Sequence, residues 1–199
     1  MSFPNQSFFD DPQSVQRAQG IDLRASTAIT DAQGRVLFRA QTGGMISPQR
    51  REIAAGTKLF RFGKQAAGIA GVAAGSWWIE RQALDQIIRF GEVWGLSVGM
   101  ALRTLCLVPP EWSDTSLLIR VATTRNLLAW SGLANSVVIP AGDGGPDVRM
   151  PHQNDLAARR VTQLFIPGMT KAGSVQNWLR LEQSYPLDKQ ASRQGFLYL

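Results

Sequence analysis

The chain has 199 residues, of which 44% are hydrophobic and 18% charged, a balance that excludes disordered and collagen-like classes and suffices for one core without covalent staples. A single cysteine, Cys106, excludes an intrachain disulfide, and a single histidine, His152, excludes a multi-histidine metal centre. The net charge of +6 attracts anions, but the basic residues are scattered, with Arg50-Arg51 the densest cluster, which favours a mildly basic solvated surface over a nucleic-acid groove.

Residues 1–20 are polar, lack the basic-then-apolar order of a signal peptide, and read as a flexible arm ahead of a single domain over 21–199. No stretch of about 18 apolar residues is present, so no membrane span is expected. The expectation is a protein made and folded in the cytoplasm, any export using a route without a cleaved signal. RVLFRA (35–40) alternates as a short strand between the turn-like DAQG and the breaker TGG. SPQRREIAA, from Ser47, carries a helix-start signature, a Ser cap followed by Pro at the first helical position.

TKLFRF predicts a strand with Leu59 and Arg61 on one face and Phe60 and Phe62 on the other. A Gly/Ala-rich loop, GKQAAGIAGVAAG, leads to a short aromatic strand, SWWI. Its spacing fits neither a dinucleotide fingerprint nor a P-loop. Glu80–Trp94 places Leu84, Ile87, Ile88, Gly91 and Trp94 on one helical stripe. A second helix runs from Ser97 to about Cys106, and Pro109-Pro110 forbids its continuation. SLLIRVAT is a strand with Leu117, Ile119 and Val121 on one face, and SVVIP is another. A polar, Gly-rich loop covers Ala141 to about Asp155. VTQLFIP is a late strand, SVQNWLRLEQ from Ser174 a terminal helix, and GFLYL a closing strand. The irregular interleaving of helices and strands predicts an α+β fold over a doubly wound one.

Three polar residues fall among apolar neighbours: Arg61 beside Leu59, Gln163 between Val161 and Phe165, and Arg103 in an apolar helix. Each must find a partner if buried. An Arg in that position suits a carboxylate or a phosphate, and Gln163 suits either a loop backbone or a ligand. Cys106 reads as a small core hydrophobe and His152 as a loop residue.

Over residues 56–169 the chain resembles, in order, the bacterial toxin NAD⁺ glycohydrolase and ADP-ribosyltransferase-like domains, including the mycobacterial necrotizing toxin family. GTKLFRFG looks like the family's opening strand with its Arg, and AAGSWWI like the Gly-then-aromatic strand that follows. MALRTLCLVPPEWSD resembles an Arg and Leu-Pro segment, and LLIRVATTRNLLAWSGLA a strand, turn and Gly-containing stretch. TQLFIPG looks like the late strand carrying a catalytic-position Gln or Glu before a Pro. There are departures. Ile79 stands where a small hydroxyl residue often follows the aromatic pair, and Leu107-Val108 interrupts the Leu-Pro element. Gln163 replaces the transferase Glu, with no acidic residue at Val161.

The resemblance implies an ADP-ribosyltransferase-like split-sheet core with flanking helices, NAD⁺ as substrate and no metal. Gln163 and Arg61 would be catalytic. Arg61, Phe62, Gly63, Ser76, Trp77, Trp78 and Arg103 would bind the dinucleotide, only one of the two tryptophans lining the cleft because neighbours on a strand face opposite ways. It implies hydrolysis in preference to transfer onto a macromolecule, and a neutralising immunity protein with an acidic face as partner. A membrane partner is not expected and nucleic acid is disfavoured. A non-catalytic nucleotide- or partner-binding protein and a phage-type assembly protein are the competing readings, the first favoured by the missing carboxylate.

Overall fold

The computed structural model describes residues 2–139 and 146–187. The expected closing strand GFLYL and part of the Ala141–Asp155 loop lie outside the described residues. The chain order is helices α1 (Gln6–Phe9) and α2 (Pro12–Ala18), then strands β1 (Ile29–Thr30), β2 (Val36–Phe38), β3 (Met45–Ile53) and β4 (Lys58–Gly63). Helix α3 (Gly68–Ala73) precedes β5 (Trp77–Glu80), α4 (Arg81–Trp94) and α5 (Val98–Cys106). Then come β6 (Leu117–Thr123), β7 (Leu127–Ala134), β8 (Val137–Ile139), β9 (Val148–Met150), β10 (Thr162–Phe165), α6 (Ser174–Trp178) and β11 (Leu179–Pro186). The fold is α+β around an antiparallel seven-stranded sheet in the order β11-β6-β4-β5-β10-β7-β3, with β1-β2 and β8-β9 as separate two-stranded ribbons.

Strand alternation divides the core. Leu59, Trp78, Ile119, Val121 and Leu164 face α3 and α6, where Val72 and Trp178 cover them. Phe60, Phe62, Ile79 and Leu118 face α4 and α5, meeting Leu84, Ile87, Leu102 and Leu105. Strands β4 and β5 pair only at Leu59↔Glu80 and Phe60↔Ile79. Beyond that point β4 stays on β6 as far as Gly63↔Leu117, and β5 stays on β10 at Trp77↔Phe165. The sheet therefore parts between Arg61-Phe62 and Trp77-Trp78.

Several segments differ from the sequence expectations, among them the expected Gly/Ala-rich loop, which carries helix α3 (Gly68–Ala73). Residues 45–53 are not a helix but the edge strand β3, paired with β7. The register shifts between Ile46 and Gln49, so Pro48 sits at an irregularity of an edge strand, where its missing N–H does no harm. Arg50 and Arg51, the densest basic cluster, lie on this edge strand: Arg50 pairs with Glu52 at 2.8 Å and Arg51 with Glu80 at 2.7 Å. The helix from Ser174 stops at Trp178, because the next residues add to β6 as β11 from Leu179↔Thr123 to Pro186↔Leu117. On α4, Trp94 leaves the buried stripe: it is 58% exposed, tilted against Phe90 and under the Arg159 guanidinium.

The N-terminal segment also differs. Few of its residues are apolar, but they point inward. Phe9 stacks on Trp130 at 4.3 Å, and the Trp130 indole donates to Ser14 Oγ at 2.8 Å. Asn5 is fully buried; its Nδ2 donates to Leu128 O at 2.7 Å and its Oδ1 accepts from Leu128 N at 2.9 Å. Asn5→Ala leaves both backbone groups of Leu128 unpaired, an expected loss of about 2–3 kcal/mol, and deleting residues 1–20 exposes the β7 face as well. Thermal unfolding of both variants checks this; a melting temperature unchanged by the deletion would show that these helices contribute nothing to the core.

Candidate functional site

A cavity of about 310 Å³ opens where the sheet parts. Its floor is Phe60 and Ile79, α5 supplies Leu102 and Cys106 on one wall, and Arg61, Trp77 and Gln163 face it from β4, β5 and β10. Arg17, Thr42, Trp112 and Thr115 stand in its outer lining.

Arg61 leaves β4 on the Leu59 face and reaches across the parting. Its Nε donates to Val72 O at 2.7 Å and its Nη1 to Trp77 O, which ties the end of α3 to the start of β5. Nη2 has no protein partner among the described residues. Gly75 makes room: a Cβ there would lie 1.9 Å from Nη2. Burial lowers the guanidinium pKa to about 10, which leaves it charged at neutral pH, and none of the described carboxylates pairs with it.

Gln163 lies opposite Gly132 of β7 and is 8% exposed. Its Nε2 donates to Cys106 O at 3.4 Å, while Oε1 has no protein partner among the described residues. Trp77 is half-buried, with its ring edge-on to Phe165 at 5.2 Å. Trp78 is 2% exposed and buried in the opposite layer, its indole donating to Gly75 O at 2.8 Å.

Phe62 and Trp78 also border the cavity, but Gly63, Ser76 and Arg103 are not on the wall. Gly63 is a packing glycine, since a Cβ there would meet Val72 Cγ2 at 2.6 Å. Ser76 presents its carbonyl to Ile166 N at 2.8 Å. Arg103 is turned away and donates to Ser113 O, holding the loop after α5. Reading the sequence missed Arg17 and Trp112. Arg17 sat in the segment taken for an arm, and the signal for Trp112 was a tryptophan in a polar loop just past Pro109-Pro110.

The lining contains no Asp, Glu, His or Lys, so its fixed charges are the guanidiniums of Arg17 and Arg61. His152 lies elsewhere, with its Nδ1 accepting from Asn154 N at 3.4 Å. Among the described residues no cluster of three or more His, Cys, Asp and Glu could hold a metal ion, and no helix is long and apolar enough to cross a membrane.

Cys106 is a buried part of the α5 wall, and burial pushes its thiol up to about 12, against roughly 8.5 for a free cysteine. The native protein should therefore resist iodoacetamide at pH 8 and react once denatured, as intact mass will show. The sign for stability follows from linkage: the folded pKa is the higher one, so this contribution is complete below pH 8–9 and is lost as pH rises toward 12. Rapid native alkylation would contradict the buried placement.

The fold and site thus define an α+β protein with a carboxylate-free, guanidinium-and-amide cleft at a parting in an antiparallel sheet. No family model and no curated protein matches the chain. Among solved structures it is similar to Rhs1-CT in complex with cognate immunity protein RhsI1, at 14% identity, covering 77% of this chain and 89% of that chain with a TM-score of 0.43. A likeness of that size assigns no family.

Proposed function

We propose that the cleft binds NAD⁺ and cleaves its nicotinamide–ribose bond, with water as acceptor, and that the protein is a toxin-type effector restrained by an immunity protein with an acidic face. The observation that carries the reading is the wall itself: guanidinium, aromatic and amide groups converge, with no carboxylate or imidazole among them. Acid–base hydrolysis of a neutral substrate would need such a group. NAD⁺ does not, because its leaving group is already cationic. The C–N electron pair departs with the pyridine nitrogen, discharging it. Water then adds to the oxocarbenium-like ribose carbon, and its proton passes to solvent.

Catalysis of that kind is positioning and dipoles. The half-buried Trp77 face suits the flat, cationic nicotinamide. The unpartnered Gln163 Oε1 suits the ribose hydroxyls and the developing positive charge. Arg61 Nη2 is left over for a phosphate oxygen. The division of the sheet beyond Phe60↔Ile79 supports reading the core as ADP-ribosyltransferase-like. Gln163 in the place of a Glu favours hydrolysis over transfer.

The test is to incubate purified protein with NAD⁺ alone and assay free nicotinamide. Release supports hydrolysis. Release only after a cell extract is added points to transfer onto a macromolecule, and NAD⁺ binding without release points to a non-catalytic binder.

A further inference from the structure

We infer that the outer rim of the cleft, formed by Arg17 of α2 and Trp112 of the loop between α5 and β6, is the seat for the ADP half of the dinucleotide. The inference rests on the nucleotide-binding part of the reading above and not on bond cleavage.

Size is the first argument. The cavity, about 310 Å³, is at the low end of the roughly 300–1,000 Å³ range of ligand sites. A dinucleotide has two bases, two riboses and a pyrophosphate. Once nicotinamide and its ribose lie beside Trp77 and Gln163, the phosphates and adenosine have to lie over the rim.

Charge is the second. Arg61 spends Nε and Nη1 on the carbonyls of Val72 and Trp77, so it can offer an anion one donor but not a fork. A second cation would match the two charges of a pyrophosphate, and Arg17 is the other charged residue of the lining. Its side chain is 53% exposed, and its contacts are to its own segment: Nη2 to Gln13 at 2.9 Å and Nη1 to Asp11 at 3.9 Å. An exposed ion pair that long holds little, so the guanidinium is free to turn to a phosphate.

Shape is the third. Trp112 is 50% exposed, yet it is pinned, because Gly43 packs against its ring so closely that a Cβ there would lie 2.8 Å from Cη2. Its loop begins at Leu107 and ends at Thr115, both left-handed without being glycine, at φ 53° and 55°. Such backbone persists only where the surroundings over-determine it, and it concentrates at ligand sites. Here Arg103 holds Ser113 O, Trp112 N donates to Pro109 O at 3.0 Å, and Asp114 Oδ1 accepts from Ser116 N at 3.0 Å. A flat aromatic face fixed in advance takes a base with little ordering cost. Arg17 is fixed relative to it through Thr42 N, which donates to Gly20 O at 3.1 Å, just before Gly43.

Calorimetric titration of the full chain with ADP and, separately, with nicotinamide riboside tests the assignment in wild type, Arg17→Glu and Trp112→Leu, alongside melting temperatures. The expected result is ADP affinity reduced about tenfold or more in each variant, as loss of a charge-assisted fork or a stacked base produces, with nicotinamide riboside affinity unchanged. Should Trp112→Leu unfold, Arg17→Glu, an exposed position, carries the test alone. No ADP binding by wild type, unchanged ADP affinity in Arg17→Glu, or an equal loss for both ligands would overturn the inference. So would inorganic phosphate binding as tightly as ADP, because the ring would then have no seat. Nicotinamide release with unaltered ADP binding in the variants removes this inference and keeps the hydrolase. The opposite pattern, no release but rim-dependent ADP binding, removes the hydrolase and keeps the rim.

Discussion

Gln163→Ala should lower nicotinamide release by at least about a hundredfold, the scale on which removing one preorganised dipole from a reacting centre acts, while leaving the protein folded. The structural reason for expecting little destabilisation is that the side chain makes a single long hydrogen bond, 3.4 Å to Cys106 O, and borders a cavity that already exists. Its removal opens no new void in the core. The cost should be about 1 kcal/mol or less, a shift of roughly 2–4 °C for a chain of this length. Gln163→Glu is the more informative partner. It keeps an acceptor where positive charge develops on the ribose, so it should stay folded and release nicotinamide faster than the Ala form. Release and melting temperature have to be read together in all three proteins. If both fall in step, Gln163 is a structural amide serving the end of α5, and most of the case for catalysis falls with it.

Arg61→Lys should lose both stability and activity although the charge is kept. The guanidinium, carried by β4, reaches two carbonyls, Val72 O of α3 and Trp77 O of β5, across the parting of β4 from β5. An ammonium on a flexible stem lacks the planar fork to reproduce both bonds. Each buried carbonyl left unpaired costs about 1–3 kcal/mol. The sum of roughly 2–6 kcal/mol corresponds to a fall of about 4–24 °C in melting temperature. Gly75→Ala is the control that touches the same arginine from outside the cleft. Its methyl would occupy the guanidinium's place, so it should reproduce the Lys phenotype. A Lys variant that unfolds and turns over like wild type would remove Arg61 from both roles.

What could be read from the sequence followed how strongly each segment is constrained locally. Strands β4, β5, β6 and β10 and helices α4 and α5 carry clear periodicities because both faces of the central sheet, or one full helix stripe, are buried. The polar exceptions on those strands, Arg61 and Gln163, stood out for the same reason, and the fold brings them to one cavity with Trp77. Local signals gave out where tertiary pairing decides. Ser47-Pro48 satisfies a helix start, but β7 claims the segment as an edge strand; Trp178-Leu179 fits either period, but β6 takes it. Asn5 is polar in composition and core in fact, because two backbone groups of Leu128 await it. Arg103 looked like a ligand residue and proved to be a loop brace, since nothing in a helical pattern reveals that a carbonyl ten residues onward needs a donor. The rim residues Arg17 and Trp112 come from distant segments, and no short motif could have joined them.

The order of strands in the sheet also governs how the molecule is reached from its unfolded chain. Of the six neighbouring pairs, β4 and β5 alone are consecutive in sequence, and they share only two paired positions. β3 must find β7, β5 must find β10, and β6 must wait for β11 near the end of the described chain. Closing such long loops precedes most of the reward, so this topology belongs with domains that fold in milliseconds to seconds rather than microseconds. Asn5 meets Leu128 across 123 residues of chain, and this contact seals the β7 face. The N-terminal helices cover the Trp130 side of the sheet, so that side lies open to association with other chains in any state where they are undocked.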